Sequence, residues 1–500
     1  MNLKSIILAG TLVSAAAVPS VKAEEPLFMR SSIYSILINS DDQSKRLDEE
    51  AKKVDADGYA KTLAEVQKQK INSLGAVPQY IFPHVSIPEQ FNDHNLANRV
   101  IDFDKIAATI TDEQAKEGRP KGFGGNIGKG LAGAALATAA GQEESSMVRE
   151  EPVDLKMHAV VKKYFEENKV PANMVAKWYS YNESGNPKFS ESLILERGLA
   201  NASAEDIAKA NVNSDLKAQL SANGFELLNN TYVVATNLRF RNNKAVADEV
   251  GNMVGGAAAM AGSKAGALGG LAALGAKKAA QAAMDKILKD QYSVTAVTLL
   301  YKLKWNDDID MQLSEKVLYN DKATLDDLLK SGLCELEYVG HTKARSGVKK
   351  DKEKSLVELT GTATVRAMDM ALAKLQVENE AFRTKVPVSK SADGYVYAKI
   401  GTKEGVTKGD EYELLEMQLD PKTNRQVFKK IATVKVDDEK GIWFNTVGAN
   451  ELIAEAEGKD AEAMKAASEL GYTKFKVGKK NDYSGYYLRL AKKKGEIKDN

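Results

Sequence analysis

The chain of 500 residues holds one cysteine, Cys334, and four histidines. A single cysteine excludes an intrachain disulfide and any cysteine-cluster zinc site. The histidines, His84, His94, His158 and His341, are scattered, and no two have the spacing of a metal-binding HExxH helix. A surplus of charge of either sign is also missing: 70 Lys and Arg stand against 69 Asp and Glu. That balance argues against an electrostatically driven nucleic-acid binder. The basic runs Lys343–Lys354 and Lys492–Lys494 have no interleaved aromatic residues. They read as a solvated loop and a tail, with contact to an anionic surface as the alternative.

Catalytic signatures are scarce too. Gly128-Lys129-Gly130-Leu131-Ala132-Gly133 spells GxGxxG, but no strand precedes it. Gly122 to Gly128-Lys129 resembles a phosphate loop with one residue too many, and Gly130 stands where the metal-binding Ser or Thr belongs. Asp93-His94 has no nucleophile elbow to complete a relay, which leaves His94 a structural role. Asp307, Asp308 and Asp310 begin like a calcium loop but lack its Gly and its closing Glu. Cys334, in the strand-like Leu333–Val339, reads as a small buried hydrophobe. The expectation is no catalytic residue, no cofactor, no metal and no small-molecule substrate.

What is present begins with a leader. Lys4 precedes an apolar run from Ser5 to Val18, Pro19 breaks it, and Val21-Lys22-Ala23 offers small residues for cleavage. Residues 1–23 read as a secretory signal peptide. The run is too short to span a bilayer. Removal leaves 68 basic against 69 acidic residues. An exported chain with one cysteine must take its stability from packing.

The patterning predicts a multi-domain protein of the α+β or α/β class. Residues 24–120 form a mixed α/β amino-terminal module: a strand at Ser32–Ile38, a charged helical stretch from Gln43 to Lys70, and a proline-punctuated segment from Val77-Pro78 to Ile87-Pro88. Residues 121–153 read as a Gly/Ala-rich linker. Residues 154–384 form a second α/β module. Its expected helices are Phe189–Leu199, one capped at Ser203 and Asp206 with Leu216, Leu220 and Phe225 on its apolar face, and Val365–Phe382 with Met368, Leu372 and Leu375 in one stripe. Its expected strands are Thr231–Phe240 and Tyr292–Trp305, the latter with Val297, Leu299, Tyr301, Leu303 and Trp305 on one face. Leu336 and Tyr338 are expected to pair with Val357 and Leu359 as a hairpin across the Lys343–Lys354 loop. Residues 385–500 read as a small β-barrel with a helical insertion. Its strands fall at Tyr395–Ile400, Glu411–Met417, Phe428–Val436, Ile442–Asn445 and Gly485–Leu490. Its helix is Asn450–Leu470, capped by Asn450.

Two Gly/Ala stretches stand apart, Gly122–Gly141 and Gly251–Gly275. In the second, Gly251 and Gly255, then Gly262, Gly266 and Gly270, recur four apart, and Lys264 is the one charge. Small residues at that spacing let helices approach closely. Three readings stay open for it: a flexible connection, a helical pair docked on this or another copy, or an element that inserts into a membrane on assembly. The insertion, 251–276, lies between two expected strands, where function often resides.

Several phrases resemble a group of secreted Bacteroidetes proteins: Leu193–Gly198, Asn201-Ala202-Ser203, Leu227–Ala235, Leu300–Asp307, Gly405–Asp410 and Ile442–Asn445. Those motifs are structural and imply no chemistry. The order of helix, Glu196-Arg197, helix and strand, followed by the long strand at 292–305, resembles the curli secretion channel family and TolB-amino-terminal-like modules. The barrel with Gly409-Asp410 resembles the carboxyl-terminal domain of flagellar assembly protein T. These resemblances imply a periplasmic or outer-membrane-associated assembly component. The expected function is therefore an exported, non-catalytic envelope protein that binds protein partners or itself. The alternatives are a membrane-inserting secretion or pore component and a carboxylate-dependent hydrolase.

Overall fold

The run Ile33, Ile36, Leu37, Ile38 forms the centre of strand β1, Ser31–Asn39, buried everywhere but its two ends. The computed structural model describes residues 31–94, 96, 98–121, 151–179, 228–245, 292–318, 324–349, 353–420, 426–495 and 497. Helix α1 (Asp41–Val54) follows β1 directly, with acids in its first turn and Lys52 and Lys53 in its last, in line with the helix dipole. Next come α2 (Ala56–Gln67), the short α3 (Val77–Ile81) with Pro78 in its first turn, β2 (Phe91–Asp93), β3 (Val100–Asp102), α4 (Phe103–Ala107) and α5 (Asp112–Lys116). After residue 150 come α6 (Pro152–Glu167), α7 (Val170–Trp178), β4 (Thr231–Asn242) and β5 (Tyr292–Leu303). Then follow α8 (Asp307–Leu313), α9 (Leu325–Lys330), β6 (Leu336–Val348) and α10 (Leu356–Glu378).

These strands form one sheet in the order β2-β1-β4-β5-β6, with β3 also paired to β1. β1 runs parallel to β2, β3 and β4, while β4, β5 and β6 are antiparallel. The stretches 24–120 and 154–384 thus contribute to one sheet. β1, from the 24–120 stretch, pairs with β4, from the 154–384 stretch, through Ser32↔Thr231 to Leu37↔Thr236. Parallel pairing between strands so far apart leaves no local trace in a sequence.

Helices cover both faces of the sheet. Tyr34, Ile36, Ile38, Val297, Leu299 and Tyr301 pack against Met157, Val160 and Val161 of α6. On the other face Leu238, Phe240, Val294 and Ala296 meet Ala363, Ala367 and Ala371 of α10. The expected apolar face of β5 is present, and its opposite face is buried as well. β1 reads as an apolar run, whereas β5 is legible by its alternation and β4 by its β-branched and aromatic residues.

The hairpin expected across Lys343–Lys354 does not form. Leu336–Val348 is one continuous strand, paired with β5 from Leu303↔Leu336 to Tyr292↔Val348. Lys343 and Arg345 sit within it, and Arg345 is buried. Val357 and Leu359 belong to α10 instead. Ser355 and Glu358 form a capping box that starts this helix nine residues before the expected Val365.

From Ala363 to Leu375, α10 is buried on all sides, Arg366, Asp369 and Lys374 included. The sheet takes one face, and the carboxyl-terminal domain takes the other. Arg366 donates to the carbonyls of Val447 (2.6 Å) and Gly448 (3.0 Å). Arg383 donates to Val377 of α10 and to Leu490.

That domain is a curled seven-stranded antiparallel half-barrel. It contains β7 (Val386–Pro387), β8 (Lys390–Ala392), β9 (Tyr395–Ala398), β10 (Glu411–Leu419), β11 (Gln426–Lys435), β12 (Thr473–Lys476) and β13 (Tyr487–Lys492). The order is β7-β13-β10-β11-β12-β9-β8. The strand expected at Ile442–Asn445 reduces to one bridge, Gly401↔Trp443. The expected helix Asn450–Leu470 is two, α11 (Ala449–Glu455) and α12 (Gly458–Ser468). Its cap is Gly448 in the left-handed region rather than Asn450, and Gly458, also left-handed at φ 55°, stands where the second begins. The helices expected at Phe189–Leu199 and Ser203–Phe225, and both Gly/Ala stretches, lie outside the described residues.

Candidate functional site

Parallel strands in an α/β sheet present their carboxyl ends to ligands and partners. Here the carboxyl ends of β1 and β4 carry a dense polar network. The Ser40 hydroxyl accepts from the Gln43 N–H (3.1 Å) to cap α1 and donates to Asp104 (2.7 Å). Asn237 donates to the Ile38 carbonyl (3.1 Å) and to Gln43 Oε1 (2.9 Å). Arg239 Nε donates to Asn237 (2.8 Å), and its guanidinium pairs with Asp154. Both charges are fully buried. The second Asp154 oxygen accepts from the Glu151 N–H (2.8 Å) and so caps α6. A buried ion pair is stable only when hydrogen bonds complete both partners, and here they do.

A second chain of charges runs beside it. Glu151 pairs with Arg46, Arg46 with Glu50 (3.5 Å), and Glu50 with Arg241 (2.9 Å). It links two points of entry. Glu151 is where the chain re-enters after 122–150, and Arg241 lies just before Ala245, where it departs into 246–291. The departure and return of the latter are close in space. Asn242 pairs with Tyr292 at the end of the β4–β5 ladder. The Phe240 and Tyr292 rings stack at 5.1 Å, and the Tyr292 hydroxyl lies 2.9 Å from that of Thr62. Glu151 and the β4–β5 end are thus linked through Arg46 and Glu50.

The five glycines singled out from the sequence, Gly251, Gly255, Gly262, Gly266 and Gly270, lie outside the described residues. Beside Arg46 is a cavity of about 500 Å³. Phe103, Ala115 and Val153 give it apolar walls, and Ser40, Arg46 and Asp104 give it a polar rim.

Where α10 meets the half-barrel, three carboxylates are buried. Burial pushes the Asp369 carboxyl up to about 7; Lys403, 3.8 Å away, opposes the rise and Glu404 adds to it. Burial likewise raises Glu404, against hydrogen bonds from Asn445 (2.8 Å) and the Gly401 N–H (2.7 Å). Asp410 is fully buried and pairs with Lys493 at 2.6 Å. Lys493 had read as part of a solvated tail. It also reaches Thr407 (2.9 Å), and burial lowers its pKa. The cavities beside Asp369 and Glu404 measure about 20 and 30 Å³, room for a water and not for a substrate.

The remaining sequence candidates have structural settings. His94 stacks at 5.2 Å on Trp178, and its N–H bonds the Ile33 carbonyl. His158 and His341, far apart in sequence, meet in one aromatic cluster. The Tyr301 hydroxyl lies 2.9 Å from His158 and that of Tyr338 lies 2.6 Å from His341. Burial lowers His158 to about 4, so the ring is neutral at physiological pH. Burial pushes the Cys334 thiol up to about 12. Asp307 to Asp310 start α8, capped by Asn306 accepting from the Ile309 N–H (2.8 Å). Among the described residues no group of three His, Cys, Asp or Glu side chains is placed to hold a metal. No described helix is long and apolar enough to cross a membrane.

No protein-family model matches the chain, and no curated protein is significantly similar to it.

Proposed function

We propose that the protein is an exported, non-catalytic component of the cell envelope, periplasmic or associated with the outer membrane, that acts through protein–protein contacts. The insertion 251–276 is its contact element, engaging an assembly partner or another copy. The observation that carries this reading is the Asn242↔Tyr292 pairing, which closes the β4–β5 ladder between the points where the chain leaves for and returns from 246–291. A segment carried this way can be shaped by a partner without disturbing the core beneath it. The leader at 1–23 and the resemblance to envelope assembly proteins support the location. Fractionation of the tagged protein followed by native mass measurement tests it. Envelope-associated particles heavier than one chain are expected. A monomer released freely on lysis overturns the reading.

A second reading, a membrane-inserting secretion or pore component, draws on the four-residue glycine spacing within 251–276. Ring-shaped particles that need detergent to stay in solution would favour it. The small volumes beside Asp369 and Glu404 weigh against the hydrolase alternative.

A further inference from the structure

Strand β11 has one partner along most of its length. Its inner edge pairs with β10 from Gln426↔Leu419 to Lys435↔Glu411. Its outer edge meets β12 at the single pair Lys435↔Lys476. Over Gln426–Val434 the described residues place no strand against that edge. An open edge offers a row of backbone N–H and C=O groups, which an added strand can satisfy.

The side chains on this edge specify what would be added. Val427 and Ile431 are 43% and 41% exposed on this strand. Lys429 and Lys430 are exposed between them, and β11 contains no acid. Charge alternates by strand from β13 through β10 to β11, and β12, with Lys474 and Lys476, breaks the pattern. Arg489 and Lys492 of β13 lie opposite Glu413 and Glu411 of β10. Glu416 of β10 lies opposite Lys429 of β11. Arg489 bonds Glu413 at 2.6 Å, and Lys430 reaches the same carboxylate at 3.2 Å. Along the open stretch of β11, the exposed Lys429 and Lys430 favour an added strand that carries acids.

We infer that the outer edge of β11 is a docking site for an extended, acidic segment of a partner protein, which joins the half-barrel as an eighth strand. A second copy of β11 fits poorly. Antiparallel self-pairing centred on this edge sets Lys429 and Lys430 against their own copies, and like charges directly opposite are destabilising. The inference rests on the reading of the protein as one that works through protein contacts, but it uses a different domain from the 251–276 insertion. Loss of one need not affect the other.

The test uses the full chain and an acetylated, amidated nonapeptide that alternates Glu with Val or Thr, titrated calorimetrically at low and moderate salt. Binding that weakens with salt is expected, with new hydrogen-exchange protection confined to amides of Gln426–Val434. The double variant Lys429→Gln/Lys430→Gln should bind roughly ten-fold more weakly, with its melting temperature lowered only slightly by loss of the half-exposed Lys430–Glu413 pair. The chain lacking 254–276 should bind the peptide as the full chain does, which separates this site from the insertion. If Lys429 and Lys430 only guard the edge against aggregation, the peptide does not bind and the inference fails. It fails equally if a Lys-for-Glu peptide binds as well, if protection appears elsewhere, or if β11 pairs with a second copy.

Discussion

Replacing Asp154 with Ala would leave the Arg239 guanidinium, 1% exposed, without its carboxylate. Breaking one side of a buried pair costs about 3–5 kcal/mol. Asp154 also accepts from the Glu151 N–H at the start of α6, and loss of such a cap adds about 1 kcal/mol. The sum, roughly 4–6 kcal/mol, is a large part of the 5–15 kcal/mol typical of a native domain. Urea unfolding followed by the far-ultraviolet signal should show the transition of the α/β unit moving far down, with the half-barrel transition less affected. The double variant Asp154→Leu/Arg239→Met removes both charges and should recover most of the loss, because a well-packed apolar pair commonly matches a buried ion pair. A loss under about 1 kcal/mol in the single variant would refute the reasoning. So would a double variant as unstable as the single one, since burial of an unpaired charge would then not be the cause.

Asp369 makes stability depend on pH. Its folded value, about 7, lies above the ordinary 3.8, so the folded protein holds the proton more tightly. Its contribution is fully present below pH 3.8 and is lost as pH rises towards 7, by up to roughly 4 kcal/mol. Denaturant titrations between pH 4.5 and 8 should show this decline, and Asp369→Asn should flatten it; an unchanged slope would count against a buried neutral carboxyl. Lys493→Met leaves Asp410 buried and unpaired, and should cost about 3–5 kcal/mol in the half-barrel transition, whereas Lys492→Met on the neighbouring strand end should stay within about 0.5 kcal/mol. Equal effects of the two would return Lys493 to the solvated tail.

These cases show where the sequence was readable. β1, β4 and β5 are rich in Ile, Val, Leu and Tyr, and β5 also alternates, so these strands are legible whatever their neighbours are. The capping box at Ser355 and Glu358 was equally local, but Leu336–Tyr338 and Val357–Leu359 offered a competing strand pattern. Only the full ladder between β5 and β6 excludes that pattern. The shared sheet of β1 and β4, the Lys493–Asp410 pair and the Glu151–Arg46–Glu50–Arg241 chain join residues far apart in sequence. No periodicity encodes such meetings. The insertion is visible as composition, while the ion-pair chain from Glu151 to Arg241 is not.

The central claim, that residues 251–276 form a contact element mounted on an independent core, is tested most directly by deleting Val254–Ala276 and comparing melting temperature and native mass with the full chain. The account predicts a melting temperature within about 2 °C, since the β4–β5 ladder closes below the cut, together with loss of the assembled or membrane-associated form. Collapse of cooperative unfolding, or an assembly state unchanged by the deletion, would contradict it.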